Sequence, residues 1–266
     1  MCNDRFDYES LSRAIGENAP VLCVSELIDS TNEQAKRMAV SGERRTVLIA
    51  AAEQTAGRGR MGRSFYSPGA TGVYFSILKT VDRPLQSAVS LTGAAAVAVM
   101  RAIRAQTGQQ CQIKWVNDLY LNGKKVCGIL AEALTGLEAG KQQVILGIGV
   151  NLRTEIFPDE LTDKAGAVCG RETARVDLIA AIWRELLPFL QNFEDRTWLS
   201  DYRVHSMVIG REIEWREGEA VHRGSAIDIN GDGELVTRDS SGRTHVLRTG
   251  EISVTPLSPS VGKHTI

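Results

Sequence analysis

The sequence predicts an α+β protein in two units, a mixed-sheet core over residues 1–207 and a small β-barrel over 208–266. Three observations predict it. Strand and helix patterns interleave as far as about Met207, with no internal repeat and no low-complexity segment. Beyond that point, short strand candidates follow one another between turn signals at Glu217-Gly218, Asn230-Gly231-Asp232-Gly233 and Ser241-Gly242. The 266 residues are 43% hydrophobic and 24% charged, an ordinary globular composition.

The elements follow in order. Tyr8–Ile15 has helical periodicity, and Val21–Ile28 is apolar and β-rich. Ser30-Thr31-Asn32-Glu33 fits the S-x-x-E capping box and opens a helix to about Val40, closed by Gly42. Thr46–Ala52 reads as a strand, Gln54–Gly69 as a Gly/Arg-rich loop, and Val73–Lys79 as a strand with an alternating face. Ser87–Ala105 is a long Ala-rich helix ended by Gly108. Gln112–Trp115 and Asp118–Leu121 are extended, and Asn122-Gly123 is a two-residue hairpin signal leading into a buried strand at Val126–Leu134. Gln143–Leu152 is a further strand. Val176–Phe193 is helical, with Pro188 expected to kink or interrupt it. The barrel strands are Ile209–Trp215, Ala220–Ile229, Glu234–Thr237 and Thr244–Leu247.

Several function classes drop out. The longest apolar runs, Val47–Ala52 and Ala94–Met100, are far short of the roughly 18–20 residues that span a bilayer, and the N-terminus has no apolar signal core, so no membrane association is expected. With 31 basic and 32 acidic residues, no global basic field exists for nucleic acid. Five scattered cysteines (2, 23, 111, 127 and 169) without a C-x-x-C pair predict a reduced, cytoplasmic protein. The four histidines have no zinc-site spacing. Trp183, Trp198 and Trp215 read as packing residues, and Cys127 as a small buried filler.

Three stretches carry chemistry. Gly57-Arg58-Gly59-Arg60-Met61-Gly62-Arg63 packs three glycines and three arginines into seven residues with no acid. Glycine lets backbone N–H groups approach a ligand closely, and arginine forks bind phosphate or carboxylate oxygens. This predicts an anion-binding loop, mobile without ligand. Gly57-x-Gly59-x-x-Gly62 also matches the dinucleotide fingerprint, but that motif needs a helix to open at the glycines, and here the loop runs through Tyr66-Ser67-Pro68-Gly69 into a strand. In the second stretch the hairpin folds Lys124 and Lys125 back toward Asn117 and Asp118, with Lys114 just upstream. The alternative there is a plain turn with a solvated lysine rim. The third, Gly147-x-Gly149-x-Asn151, is an apolar strand ending in a lone amide.

Ser30-Thr31-Asn32, the Gly57–Arg63 loop, Lys114-Trp115-x-Asn117-Asp118, Lys125-x-x-Gly128-Ile129-Leu130 and Gly147-x-Gly149-x-Asn151 resemble biotin protein ligase, in that family's order and spacing. The stretch Gly224–Val254, with Gly231, Gly233, Gly250 and Glu251-Ile252-Ser253, is similar to the family's SH3-like domain. The resemblance implies the biotin/lipoate ligase (class II synthetase-like) core. It implies a two-step reaction in which biotin and ATP give biotinyl-5′-AMP, and a lysine of a biotin carboxyl carrier domain then takes the biotin. It implies that Ser30, Thr31, Asn32 and Gln54 hold the ring end of biotin, and that Gly57, Arg58, Gly59, Arg60 and Arg63 form the loop over biotin and phosphate. Lys125 would meet the carboxylate or bridging phosphate, and Gly128 would allow close backbone contact. Asn117 and Asn151 would serve the nucleotide, and Lys114 the pyrophosphate. Asp118 would bind Mg²⁺ or act as base toward the incoming lysine.

The chain departs from the family pattern at Val116, where proline is usual, and at Phe65, where a tryptophan often covers the adenylate. About 20 residues precede the first core strand and hold no helix-turn-helix, so the short form, without DNA binding, is expected. Monomer or edge-strand homodimer stays open. A lipoate-type ligase of the same fold is the nearest rival, but its R-R-x-S-G-G-G signature is absent. A nucleic-acid-binding module is the rival of another class, disfavoured by the near-zero charge and the lack of interleaved aromatics around Arg58–Arg63.

Overall fold

A computed structural model describes residues 4–82, 88–138, 141–168, 172–217, 219–248 and 252–254. Cys2, Cys169, His264, Ser87, Gly250 and Glu251 lie outside the described residues.

Seven strands form one mixed sheet: β1 (Val21–Ile28), β2 (Val47–Gln54), β3 (Val73–Val81), β4 (Gln112–Lys114), β5 (Asp118–Leu121), β6 (Lys124–Glu138) and β7 (Lys141–Val150). Their spatial order is β1-β2-β3-β7-β6-β5-β4. Only β1 and β2 run parallel; every other neighbouring pair is antiparallel. The helices are α1 (Tyr8–Ile15), α2 (Thr31–Val40), α3 (Ala88–Thr107), α4 (Arg175–Gln191) and α5 (Trp198–Val204). Asn122 and Gly123, at φ 51° and 77°, turn β5 into β6 as the Asn-Gly pair predicts.

Strand periodicity divides the sheet into two unlike faces. Phe75, Ile77, Ile129, Leu146, Ile148 and Val150 point toward α3 and α4 and join the main apolar core. Val47, Ile49, Leu78 and Ile145 point the other way and meet Ala35 and Ala39 of α2 in a smaller core. On that second face the alternate positions beyond α2 are Tyr74 and Ser76 of β3, Gly128 and Leu130 of β6, and Gly147 and Gly149 of β7. Large apolar side chains thus hold the sheet from behind, while on its front Gly128, Gly147 and Gly149 leave a strip of bare backbone.

Strands β8 (Glu212–Glu217), β9 (Ala220–Ile229), β10 (Leu235–Asp239), β11 (Thr244–Leu247) and β12 (Ile252–Val254) form a second, antiparallel sheet in the order β11-β10-β9-β8-β12. This is the small all-β unit expected after Met207. Its Ile213, Trp215, Ala226, Ile229 and Leu235 belong to the same apolar cluster as α3, α4 and α5. Hydrogen bonds stitch the units together. The Trp115 indole N–H donates to the Gly233 carbonyl (3.1 Å) and Arg203 Nε to the Ile229 carbonyl (2.8 Å), while within the core the Tyr202 hydroxyl donates to the Val116 carbonyl (3.2 Å). The Trp115–Val116 peptide bond is cis.

Two local expectations fail. Helix α2 starts at Ser30 as predicted, but the Ser30 side chain makes no cap bond, and Glu33 turns instead to Lys36 and Arg58. The capping box is absent: the Ser30 N–H donates to Asp29 Oδ1 (2.7 Å), and the Glu33 carboxylate pairs with the two cations. Helix α4 runs unbroken through Pro188 although the proline forgoes its bond to the preceding turn, and Leu186, Phe189 and Leu190 on either side of it are buried in the core. Trp183, Trp198 and Trp215 are all buried, as expected. No helix among the described residues is long and apolar enough to cross a membrane.

Candidate active site

The front of the sheet opens into a cavity of about 620 Å³. Its floor is the glycine-rich strip of β6 and β7. Gly128 and Gly149 are register partners across those strands. A Cβ on Gly149 would lie 2.5 Å from the Phe65 ring, and one on Gly147 would lie 2.0 Å from Asn32 Oδ1. Side chains arriving from elsewhere therefore lie directly on the floor backbone.

The Gly/Arg loop forms the roof, and it is folded on itself. Arg58 bridges Ser64 in antiparallel fashion, the Gly59 N–H donates to the Arg63 carbonyl (2.7 Å), and the Phe65 N–H to the Gly57 carbonyl (2.8 Å). Met61 and Gly62 make the tip, at φ 55° and 75°. A left-handed pair is what a tight hairpin tip requires, and the second place suits glycine. Gly57 does not line the cavity. It is the buried root of the hairpin, where a Cβ would strike the Phe65 carbonyl at 2.4 Å. Phe65 lies over Gly128 and Gly149, edge-on to Tyr74 at 6.4 Å.

One end of the cavity is neutral and hydrogen-bonded. The Thr31 N–H donates to Gln54 Oε1 (2.9 Å), and Gln54 Nε2 donates to Ser67 Oγ (2.9 Å). Ser76, fully buried, places its hydroxyl 2.5 Å from Asn32 Oδ1 and 2.8 Å from Thr31 Oγ1, with one proton to give. Asn32 Nδ2 donates to Glu132 Oε2 (2.8 Å). Asp29 closes this end from below. It accepts from the Ser30 N–H (2.7 Å) and from both Arg37 Nη atoms (2.8 Å each), and Arg37 holds its pKa down to about 2.

The other end is charged. Arg58, Arg60, Arg63, Lys114, Lys125 and Lys164 line the cavity against a single carboxylate among the described residues, Asp118. Such density of one sign is costly unless an anion shares the space. Lys125 Nζ stands 2.6 Å from Asp118 Oδ1. Arg60 Nη1 donates to Asn117 Oδ1 (3.0 Å), and Asn117 Nδ2 donates to the Ile129 carbonyl (2.7 Å). Lys114 Nζ lies 5.8 Å from the centre of the Tyr120 ring. Burial, then the charge of Asp118, pushes the Tyr120 phenol above its ordinary pKa, so it serves as a neutral wall. Asn151 Nδ2 donates to the Gly166 carbonyl (3.1 Å), while its Oδ1 is buried with no partner. A buried acceptor of that kind matches a ligand N–H or O–H.

The residues that the resemblance implies for the site, except Gly57, thus border one space. Met61 and Gly62 of the loop do not, nor does Lys124, which the hairpin was expected to turn toward Asn117 and Asp118; its Nζ donates to the Thr162 carbonyl instead (2.9 Å). Three further side chains shape the cavity without belonging to any motif. Ser76 is a lone hydroxyl in an apolar strand, Glu132 a lone acid in another, and Lys164 is isolated. The lone polar residue on an inward strand position was the available signal at Ser76 and Glu132. No group of three His, Cys, Asp or Glu side chains able to hold a metal occurs among the described residues. Burial pushes the thiol of Cys111 up to about 11 and that of Cys127 well above its ordinary value, so neither is a nucleophile.

Residues 24–151 match the Biotin/lipoate A/B protein ligase family. The chain is 34% identical over 235 residues to the bifunctional ligase/repressor BirA of Bacillus spizizenii, covering 83% of this chain and 70% of that protein. It is 32% identical over 245 residues to the biotin--[acetyl-CoA-carboxylase] ligase of Mycobacterium tuberculosis, covering 84% and 85%. In three dimensions it resembles the biotin protein ligase from Aquifex aeolicus in complex with biotin and ATP, at a TM-score of 0.75 and 25% identity, over 88% of this chain and 98% of that one. The chain belongs to the biotin/lipoate A/B protein ligase family, among its biotin protein ligases.

Proposed function

We propose that this enzyme activates biotin as biotinyl-5′-AMP and passes it to a lysine of a biotin carboxyl carrier domain. The observation that carries the reading is the division of one cavity into a neutral amide end and an end with six cations and one carboxylate. A ring system with a polar, uncharged head suits the first end. A carboxylate meeting a triphosphate suits the second.

In the first step a biotin carboxylate oxygen attacks the α-phosphorus, and the bond to pyrophosphate breaks. Two anions meet and negative charge grows on the leaving group, so fixed cations lower the barrier. Lys125 and Arg60 face the reacting centre, with Lys114 toward the leaving pyrophosphate. Ser30, Thr31, Asn32 and Gln54 hold the biotin head. Asn117 and the unpartnered Asn151 oxygen serve the nucleotide, with the Phe65 ring as a cover. In the second step the acceptor amine attacks the acyl carbon, AMP leaves, and the nitrogen gives up a proton. Only about 1 in 2,500 lysines is neutral at pH 7, so a base accelerates this step. Asp118 takes that role once Lys125 is drawn from it to the phosphate.

Mg²⁺ keeps several waters and binds chiefly through phosphates, with one or two carboxylates from the protein. A single carboxylate beside a triphosphate pocket fits that habit: in the first step Asp118 would hold the ion there, where it would neutralise phosphate charge, and Asp118 would serve as base only in the second step, with pyrophosphate and the ion gone. The unit from residue 208 braces the nucleotide end, since Ile252 lines the cavity, and helps receive the carrier. The outer edge of β4 is taken by residues 205–207, so a dimer built through an edge of the large sheet would use β1.

Mixing the protein with ATP, Mg²⁺ and either biotin or lipoate, then reading the acid-soluble fraction by mass spectrometry, tests the reading. A biotinyl-AMP peak that vanishes in Arg60→Ala supports it. A lipoyl-AMP peak alone moves the assignment to the lipoate-type ligases, and no adenylate from folded protein refutes both.

A further inference from the structure

The Gly/Arg roof and the amide end are joined by a chain of side chains that no motif announces. Asn32, on the floor, donates to Glu132 Oε2 at 2.8 Å. Lys36 Nζ stands 2.8 Å from Glu132 Oε1 and 3.0 Å from Glu33 Oε1. Arg58 Nε, in the roof, stands 3.1 Å from that same Glu33 oxygen. Two acids and one base thus alternate between the floor amide and the roof arginine. Glu33, Lys36 and Glu132 are each about one-quarter exposed, while Arg58 is 55% exposed. Burial by itself would lower the pKa of Lys36, but its bonds to Glu132 and Glu33 outweigh that and raise it, so the ammonium stays charged.

Ordinary surface pairs on a helix join neighbours three or four residues apart and stop there. This chain instead reaches from α2 to β6, about one hundred residues away, and from α2 to the roof. Both ends are cavity-lining residues. Lys36 is the pivot: it touches both carboxylates, and without it Glu33 and Glu132 would face each other as like charges. The Asn32 amide bonds to Ser76 through Oδ1 and to Glu132 through Nδ2, so a ligand that tightens or shifts it acts directly on Glu132 and, through Lys36, on the grip that Glu33 has on Arg58.

We propose that Lys36 and Glu33 are positioning residues that couple occupancy of the amide end to closure of the Gly57–Arg63 roof. Neither touches the substrates. This rests on the reading of the amide end as the biotin site. The link to the roof is the half-exposed one, so it is the link that exchanges.

Limited trypsin digestion of the full chain reads the roof directly, because Arg58, Arg60 and Arg63 are cleavage sites. The readout is the ratio of cleavage rates there without and with saturating biotin, with binding confirmed by calorimetry. In the unaltered protein biotin protects the roof. In Glu33→Gln, which leaves Asn32, Glu132 and Lys36 in place, protection falls about two- to fivefold, the range a part-exposed ion pair supports. Lys36→Met lowers it further, and Lys36→Arg restores it. A merely structural role would change both rates together and leave their ratio alone. Should Lys36→Met fail to fold by circular dichroism, Glu33→Gln decides. Full protection in Glu33→Gln overturns the coupling, as does an unaltered protein that binds biotin without protecting the roof. An unaltered protein that binds no biotin overturns the biotin reading itself, and the coupling with it.

Discussion

The two ends of the cavity are built on opposite principles. At the amide end the side chains of Thr31, Asn32 and Gln54 are already partnered, with one another and with Ser76, Ser67 and Glu132. At the charged end the partners are provisional: Lys125 rests on Asp118, Arg60 on Asn117, and Asn151 Oδ1 on nothing. A neutral head is best recognised by a scaffold whose geometry is set before binding, since leaving a polar atom unpaired costs about 1–3 kcal/mol. An anion whose charge moves during reaction is best served by cations that can change partners. Rigidity is spent on recognition and exchangeability on chemistry.

The largest test strikes the charged end. Lys125→Met removes one fixed cation and strands Asp118, and adenylate formation in single-turnover assays should fall about 10²- to 10³-fold. A loss below tenfold would show that charge does not develop beside Lys125. Next comes the amide end. Gly147→Ala puts a methyl 2.0 Å from Asn32 Oδ1, and biotin binding by calorimetry should weaken by about 1–3 kcal/mol while nucleotide binding holds. If both ligands weaken alike, the ends are not separate. A smaller effect is expected from Asn151→Ala, which removes an unpartnered oxygen and one bond to Gly166. Nucleotide KM should rise roughly five- to tenfold, in line with one lost hydrogen bond of about 1 kcal/mol, and biotin KM should stay fixed. The smallest is a pH effect below the amide end. Asp29 has its pKa depressed to about 2 by Arg37, so its stabilisation is complete above the ordinary value of 3.8 and disappears as pH falls through about 2. With both partners about half exposed, less than about 1 kcal/mol is at stake. Melting curves of Asp29→Asn should lie below those of the unaltered protein at neutral pH and merge with them near pH 2.

These contrasts were unevenly legible in the sequence. The charged end was easy to see, because Gly57–Arg63 and Lys114–Asp118 are contiguous runs in which residue type alone betrays the chemistry. The Asn122-Gly123 hairpin was equally local and brought Lys125 to Asp118 as expected. The amide end was only half visible. Ser30-Thr31-Asn32 carried a helix-start signature, yet the cap it announced is not formed, and Glu33 serves the roof instead. Ser76 and Glu132 gain their meaning from register across β3, β7 and β6, which no single strand reveals. Helix α4 passing through Pro188 has the same lesson, because the flanking Leu186, Phe189 and Leu190 are held by tertiary burial that local propensity does not reveal. Gly57 belongs to the loop by composition but acts as its root, a distinction that only the Phe65 carbonyl beside it makes.

The glycine floor also sets a direction for evolutionary change. At Gly128, Gly147 and Gly149 every amino-acid replacement adds atoms, so mutation can make the pocket shallower there but never deeper. Acceptance of a bulkier acid would have to be gained at the roof, where Phe65 is large enough to be trimmed. Selection and enzyme engineering thus face a ratchet on one wall and an adjustable gap on the other, and variant libraries aimed at new acids belong at Phe65 and its hairpin.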